Sequence, residues 1–236
     1  NNHTISNLYI NKPNKNFIGL FSFIKTNAEV RNIIIEGKIT GNSWAGGVAG
    51  ANFGNINSCI NKVTLDIKGE CARRNCTVGQ DMMDISLNVL IMVIFLQSKV
   101  LLGMVGWSEG RVDYCYNMAN ITVTGTDSAG SANLGGVVGG TGNSSSSIKN
   151  CYNTGTIKSS ISGTSIGGIT GCLGWNGSWT LSNCINVGQS YNNNHQLPTV
   201  DFGNNTRSFG RVVGYNDSND KITNSISITE EQLKNY

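Results

Sequence analysis

The stretch LGGVVGGTGNSSSSIKNCYNTGTI, Leu134 to Ile157, holds one complete structural unit and decides how the rest of the chain is read. It opens on a short phrase, GGVVG, and after a Ser/Gly-rich connector gives a second, I-x-x-C-x-N-x-G-x-I. β-Branched residues cluster in short runs between glycine breakers, which predicts short strands. Both phrases recur along the chain. The first returns as AGGVAG (Ala45–Gly50), LGMVG (Leu102–Gly106), IGGITG (Ile166–Gly171) and FGRVVG (Phe209–Gly214), with a degenerate IGLFSF at Ile18–Phe23. The second returns as GNINSCINKVTL (Gly54–Leu65), GRVDYCYNMANI (Gly110–Ile121) and WTLSNCINVG (Trp179–Gly188). Its outer copies are EVRNIII (Glu29–Ile35) and KITNSISI (Lys221–Ile228).

Aligning the copies produces columns. One contains Val30, Ile56, Val112, Ile148, Leu181 and Ile222. Three residues later stand Ile33, Cys59, Cys115, Cys151, Cys184 and Ser225, and two further on Ile35, Asn61, Asn117, Asn153, Asn186 and Ser227. The period varies from about 26 to 43 residues, and the variation lies in polar connectors such as SSISGTS. A stack of coils tolerates this, because connectors face solvent and lengthen at little entropic cost. A single unit cannot bury its apolar face, whereas units stacked about 4.8 Å apart supply backbone partners to one another. The expected fold is all-β: a parallel β-solenoid (β-helix) of about six to seven coils, with a β-sandwich as the alternative. Cys59, Cys115, Cys151 and Cys184 then read as internal packing, since a free thiol behaves as a small hydrophobe. Asn61, Asn117, Asn153 and Asn186 read as a ladder of side-chain amides.

Composition narrows the function. With 30 glycines among 236 residues the chain is not helical, because glycine costs about 1 kcal/mol per helical position. The glycines have no three-residue period, which excludes collagen. The net charge of +3 is thinly spread, with no basic stripe, so no nucleic-acid partner is expected. The opening NNHTISNLYINKPNKN has no apolar signal core, and the chain starts without Met, so it reads as a piece of something longer. The seven cysteines match no compact disulfide framework.

The pattern GG-[VI]-x-G followed by G-x-I-x-x-C-x-N-x-G-x-I resembles the GLUG repeat of large bacterial surface and secreted proteins. The resemblance covers most of the chain in five clear copies. Departures are Leu20 and Phe21 in the first copy and Ser225 in the last. It implies a non-catalytic structural or adhesive module at the cell surface or outside the cell, meeting a host surface protein or glycan and needing no cofactor. The family also includes the non-catalytic repeat part of IgA-specific metallopeptidases, so the alternative is an accessory region of a secreted peptidase whose catalytic domain lies elsewhere. A carbohydrate-active β-helix is a third reading. The tail ITEEQLKNY resembles the segment that closes such arrays, and Thr229 with Gln232 fits a capping box that would start a short helix. The domain reading is a solenoid over 1–228, then from 229 to 236 the start of a linker or helix toward a missing downstream region.

One segment breaks the pattern. Between Lys68 and Leu102 no repeat is visible, and Val89–Leu96 is a wholly apolar run. This run is too short for a transmembrane helix, which needs about 20 such residues. Two readings stay open: an apolar element inserted in the array, or a frame-shifted repeat. Read one nucleotide early, the codons of Met82–Phe95 permit G-x-I-x-x-C-x-N-x-G-x-I, and in the opposite offset Arg73–Cys76 permits GGIV. Either way, one irregular coil is expected over about residues 70–101. The nucleotide sequence decides between them.

No catalytic constellation is visible. His3 and His195 lack a second histidine at helical spacing, so no HExxH zinc site exists. Cys71 and Cys76 fall in the irregular segment. Asp201–Gly203 spells DFG without any other kinase motif. Glu109 with Asp113, and Asp217 with Asp220, read as solvated turns before they read as cation sites. Among Trp44, Trp107, Trp175, Trp179 and Tyr215, the candidate ligand-facing aromatics are Trp107, Trp175 and Tyr215. Trp107 and Tyr215 both follow the last glycine of a first phrase, which places them on one edge of the stack.

Overall fold

The computed structural model describes residues 3–68, 101–124, 132–142, 145–161, 164–174, 177–196, 200–204, 209–216 and 220–234. The chain winds as a parallel β-solenoid with three faces. The first phrase of each repeat forms face one, the start of the second phrase forms face two, and its C-x-N-x-G-x-I part forms face three. Six coils are described, spanning 16–41, 43–67, 101–123, 133–159, 165–192 and 209–227. A preceding strand, His3–Asn11, adds one more rung to face three by pairing in parallel with Ile33–Gly41.

The register is that of the sequence columns. On face two Val30, Ile56, Val112, Ile148, Leu181 and Ile222 are successive partners. The middle four of these are fully buried, each contributing about 1.5–3 kcal/mol of apolar burial. On face three Ile35, Asn61, Asn117, Asn153, Asn186 and Ser227 follow one another in the same way.

The coil of 43–67 pairs directly with the coil of 101–123 on every face. Ala45 meets Leu102, Ile56 meets Val112, and Asn61 meets Asn117. Six coils therefore stack without interruption, and no rung separates these two. The irregular coil expected over about 70–101, with Cys71, Cys76 and the apolar run, falls on residues outside those the structure describes. LGMVG is also one residue shorter than its neighbours, which the ladder absorbs as a register shift between Gly46 and Ala49.

The bend from face two to face three is a column that composition hides. Asn32, Ser58, Tyr114, Asn150, Asn183 and Asn224 all have left-handed backbones, with φ between 47° and 56°. Asparagine tolerates this region and most residues do not. From this conformation the bend N–H reaches the next coil: Ser58 donates to Asp113, Tyr114 to Lys149, Asn150 to Ser182 and Asn183 to Thr223, at 3.0–3.2 Å. The asparagine side chains continue the contact, Asn183 Nδ2 donating to Asn150 Oδ1 at 3.1 Å and Asn224 Nδ2 to Asn183 Oδ1 at 3.3 Å. Tyr114 is the bulky exception, and its side chain stands 61% exposed. Tyr114→Asn should stabilise the fold by about 1 kcal/mol, read as a rise in denaturation midpoint. No change, or a loss, would show that the tyrosine ring does more than occupy the corner.

The array ends in a helix at Glu230–Lys234. Its N-terminus is a capping box: the Thr229 N–H donates to Gln232 Oε1 at 2.8 Å, and the Gln232 N–H to Thr229 Oγ1 at 3.2 Å. Among the described residues no helix is long and apolar enough to cross a membrane.

Candidate functional site

The polar chemistry of this protein lies inside the coil. Asn61 Nδ2 donates to Asn117 Oδ1 at 2.8 Å, Asn117 to Asn153 at 2.7 Å, and Asn153 to Asn186 at 2.8 Å. Asn186 closes the row on Ser227 Oγ at 3.3 Å. The other amide proton of Asn117, Asn153 and Asn186 goes to a carbonyl two residues on, that of Ala119, Gly155 and Gly188. Asn153 Oδ1 also accepts the Gly155 N–H at 3.1 Å. All four asparagines are at most 1% exposed, so every bond replaces one that water cannot supply.

This ladder explains the double glycine of the first phrase. A Cβ on Gly47 would fall 1.9 Å from Asn61 Oδ1, on Gly136 2.3 Å from Asn153 Cγ, and on Gly168 2.1 Å from Asn186 Cγ. The second glycine exists to let the amide lie against the backbone across the coil. Where the ladder residue is not asparagine, the glycine is gone: Leu20 shares a coil with Ile35, and Arg211 with Ser227. In the coil shortened by one residue Met104 stands in the place of this glycine, its N–H bonded to the Gly136 carbonyl at 3.1 Å. The pairing of glycine with amide joins the two phrases, and it is not readable from either one alone.

Cys59, Cys115, Cys151 and Cys184 are free, buried and stacked on consecutive coils. Each thiol donates to the carbonyl two residues before it: Asn57 at 3.3 Å, Asp113 at 3.1 Å, Lys149 at 3.0 Å and Ser182 at 3.3 Å. Ser225 repeats the bond with its hydroxyl, to Thr223 at 3.0 Å. Burial, and then contact with Cys115 and Cys184, pushes the Cys151 thiol well above its ordinary value of 9.0. Contact with Cys115, and then burial, raises Cys59. For Cys151 the folded state favours the protonated thiol, so its share of stability is intact below pH 9.0 and is lost as pH rises past it. Cys184, through its hydrogen bond with Cys151, is shifted downward and opposes part of that loss. Stability measured from pH 8 to 10.5 should fall, and Cys151→Ser should flatten that fall.

The aromatics that were candidates for ligand contact are mostly interior. Trp107 does share a column with Tyr215, through Gly140 and Cys172. Yet Trp107 is 1% exposed: its ring lies 5.9 Å from Trp44, within a cluster that includes Phe17, Phe23 and Phe53. Its indole N–H donates to Glu109 Oε1 at 3.3 Å. Trp179 is as deeply buried and donates to the Gly142 carbonyl at 3.0 Å. Tyr215 is half-buried, and Trp175 lies outside the described residues. Carboxylates are likewise engaged. Asp113 accepts from Arg111, the Tyr114 N–H and Asn150 Nδ2. Asp201 of the DFG triplet pairs with Arg211 at 2.7 Å. Asp220 accepts the Trp179 N–H at 2.8 Å, and Asp217 lies outside the described residues. His3 and His195 sit on different rungs of face three, both exposed. Among the described residues no three His, Cys, Asp or Glu side chains converge on a point.

Compared with protein families, residues 130–158 match the GLUG motif. These residues are thus similar to a GLUG motif, and the other coils repeat their pattern. Comparison with curated proteins and with solved structures found no match. The matched span is the fourth coil, which has both the Gly136–Asn153 contact and the Cys151 thiol, so this unit is a glycine that admits an amide and an amide that ties its coil to the next.

The outward side of the array on face three carries a continuous stripe. Ile34, Ile60, Tyr116, Tyr152, Ile185 and Ile226 are consecutive register partners, alternate with the inward-facing residues, and are half-buried or exposed. The Tyr116 and Tyr152 rings meet edge to face at 4.6 Å. Beside the stripe, Lys62 bonds Glu36 at 2.8 Å and Lys38 lies 3.3 Å from Asp66. These exposed pairs add little stability, about 0–1 kcal/mol each, and serve to keep the surface hydrated.

Proposed function

We propose that the chain is a non-catalytic module of a bacterial surface or secreted protein, acting as a spacer and as an adhesive display surface. The observation that supports this is the division of labour just described. The recurring asparagines hold coil to coil, the glycines make room for them and the cysteines fill the interior, while the outward stripe of face three repeats at coil spacing. A surface of this kind offers many equivalent weak contacts along one line, which suits avidity more than turnover.

The test is direct. The purified chain, held on beads, is presented to arrays of host glycans and host surface proteins, and is separately incubated with labelled polysaccharides and peptides. Saturable retention, lost in Tyr116→Ser/Tyr152→Ser, is the expected result. Turnover of any substrate would overturn the non-catalytic reading, and absence of retention would overturn the adhesive one.

A further inference from the structure

We propose that the thiol column is a binding site for a thiophilic, two-coordinate cation, of which mercuric ion is the type, seated between vertically adjacent sulfurs. Packing alone does not demand sulfur here. The same column accommodates Ile33 at one end and Ser225 at the other, yet the four coils between carry Cys59, Cys115, Cys151 and Cys184 without a break. The backbone keeps these residues in parallel register, since the N–H after each cysteine bonds to the carbonyl of the cysteine one coil earlier: Tyr116 to Cys59, Tyr152 to Cys115 and Ile185 to Cys151, at 2.9–3.0 Å.

Geometry and charge select the ion. Neighbouring rungs of a sheet are about 4.8 Å apart. A closed-shell metal binds thiolate at about 2.3 Å, so an ion midway between two stacked sulfurs sits at bonding distance from both. Zinc requires four ligands in a tetrahedron, which a straight column cannot supply. Thiolate softness excludes hard cations. A monovalent soft ion between two thiolates would leave a buried negative charge with no cation beside it, whereas a divalent one leaves a neutral unit suited to an apolar core. In each binding event two S–H bonds break, two S–metal bonds form and two protons leave to solvent, with no change of oxidation state. Four sulfurs thus take two ions, one between Cys59 and Cys115 and one between Cys151 and Cys184.

Adjacency supplies the test. The full chain carrying Cys71→Ser, Cys76→Ser and Cys172→Ala is refolded from denaturant with mercuric chloride and a competing monothiol, then desalted. Two ions per chain are expected, with two sulfur neighbours each by X-ray absorption. Two double variants with equal numbers of sulfurs are then compared. Cys59→Ser/Cys115→Ser leaves an adjacent pair and should keep one ion. Cys115→Ser/Cys151→Ser leaves sulfurs three coils apart and should keep none. Ser225 shows that the column accepts serine, and circular dichroism checks that both variants fold. If the second does not fold, Cys59→Ser/Cys151→Ser, whose remaining sulfurs are also non-adjacent, takes its place with the same expectation of none. Equal mercury in adjacent and non-adjacent variants, three or more sulfur neighbours, or no retention by the starting chain would each overturn the proposal.

Discussion

Asn153→Leu is expected to destabilise the solenoid by about 4 kcal/mol or more, because each buried polar group left unpaired costs about 1–3 kcal/mol. Asn153 is the central amide of the ladder and makes four bonds: from Asn117 Nδ2, to Asn186 Oδ1, and both to and from Gly155. Leucine is close in volume but fills none of these roles. Gly155 loses a partner for both its N–H and its carbonyl, and Asn186 loses its donor, in surroundings where water does not reach. Denaturant unfolding should show a lowered midpoint, with hydrogen exchange accelerating first at the Gly155 and Val187 amides. A loss under 1 kcal/mol would mean that the ladder is a consequence of stacking and not a cause of it.

Gly168→Ala should cost about 3 kcal/mol, a large effect for one methyl group. The added Cβ would stand 2.1 Å from Asn186 Cγ and 2.3 Å from the Arg211 carbonyl. Either the amide withdraws and breaks the ladder, or the two coils separate. The last coil shows how the conflict is relieved, since Arg211 brings a Cβ to the equivalent position and Ser227 replaces the amide. Gly168→Ala/Asn186→Ser should therefore be less destabilised than the sum of its single variants, by at least about 1 kcal/mol in a double-mutant cycle. Strict additivity would show that glycine is required there by the backbone and not by the amide.

These two positions also mark how far the sequence could be read. Each column was visible because spacing inside the second phrase never changes: Cys to Asn is always two residues. The contact between Gly168 and Asn186 was hidden because it crosses the coil, linking phrases whose separation varies. The left-handed corner was hidden for a different reason, since Ser58 and Tyr114 interrupt a run that is otherwise asparagine. Trp107 was placed in the correct column but on the wrong side of the solvent boundary. What buries it includes Trp44 and Phe17, and no alternation rule applied to its own strand brings in rings from neighbouring coils. The direct bond between Asn61 and Asn117 was hidden as well, because no spacing rule says which two coils meet across an irregular stretch of sequence.

That last pairing has a consequence for engineering the chain. Because the Thr124 N–H bonds to the Ile67 carbonyl, the rungs on either side of residues 69–100 hold each other directly. The same seam is where foreign cargo, such as a tag or a small folded domain, can be spliced in with the least effect on stacking.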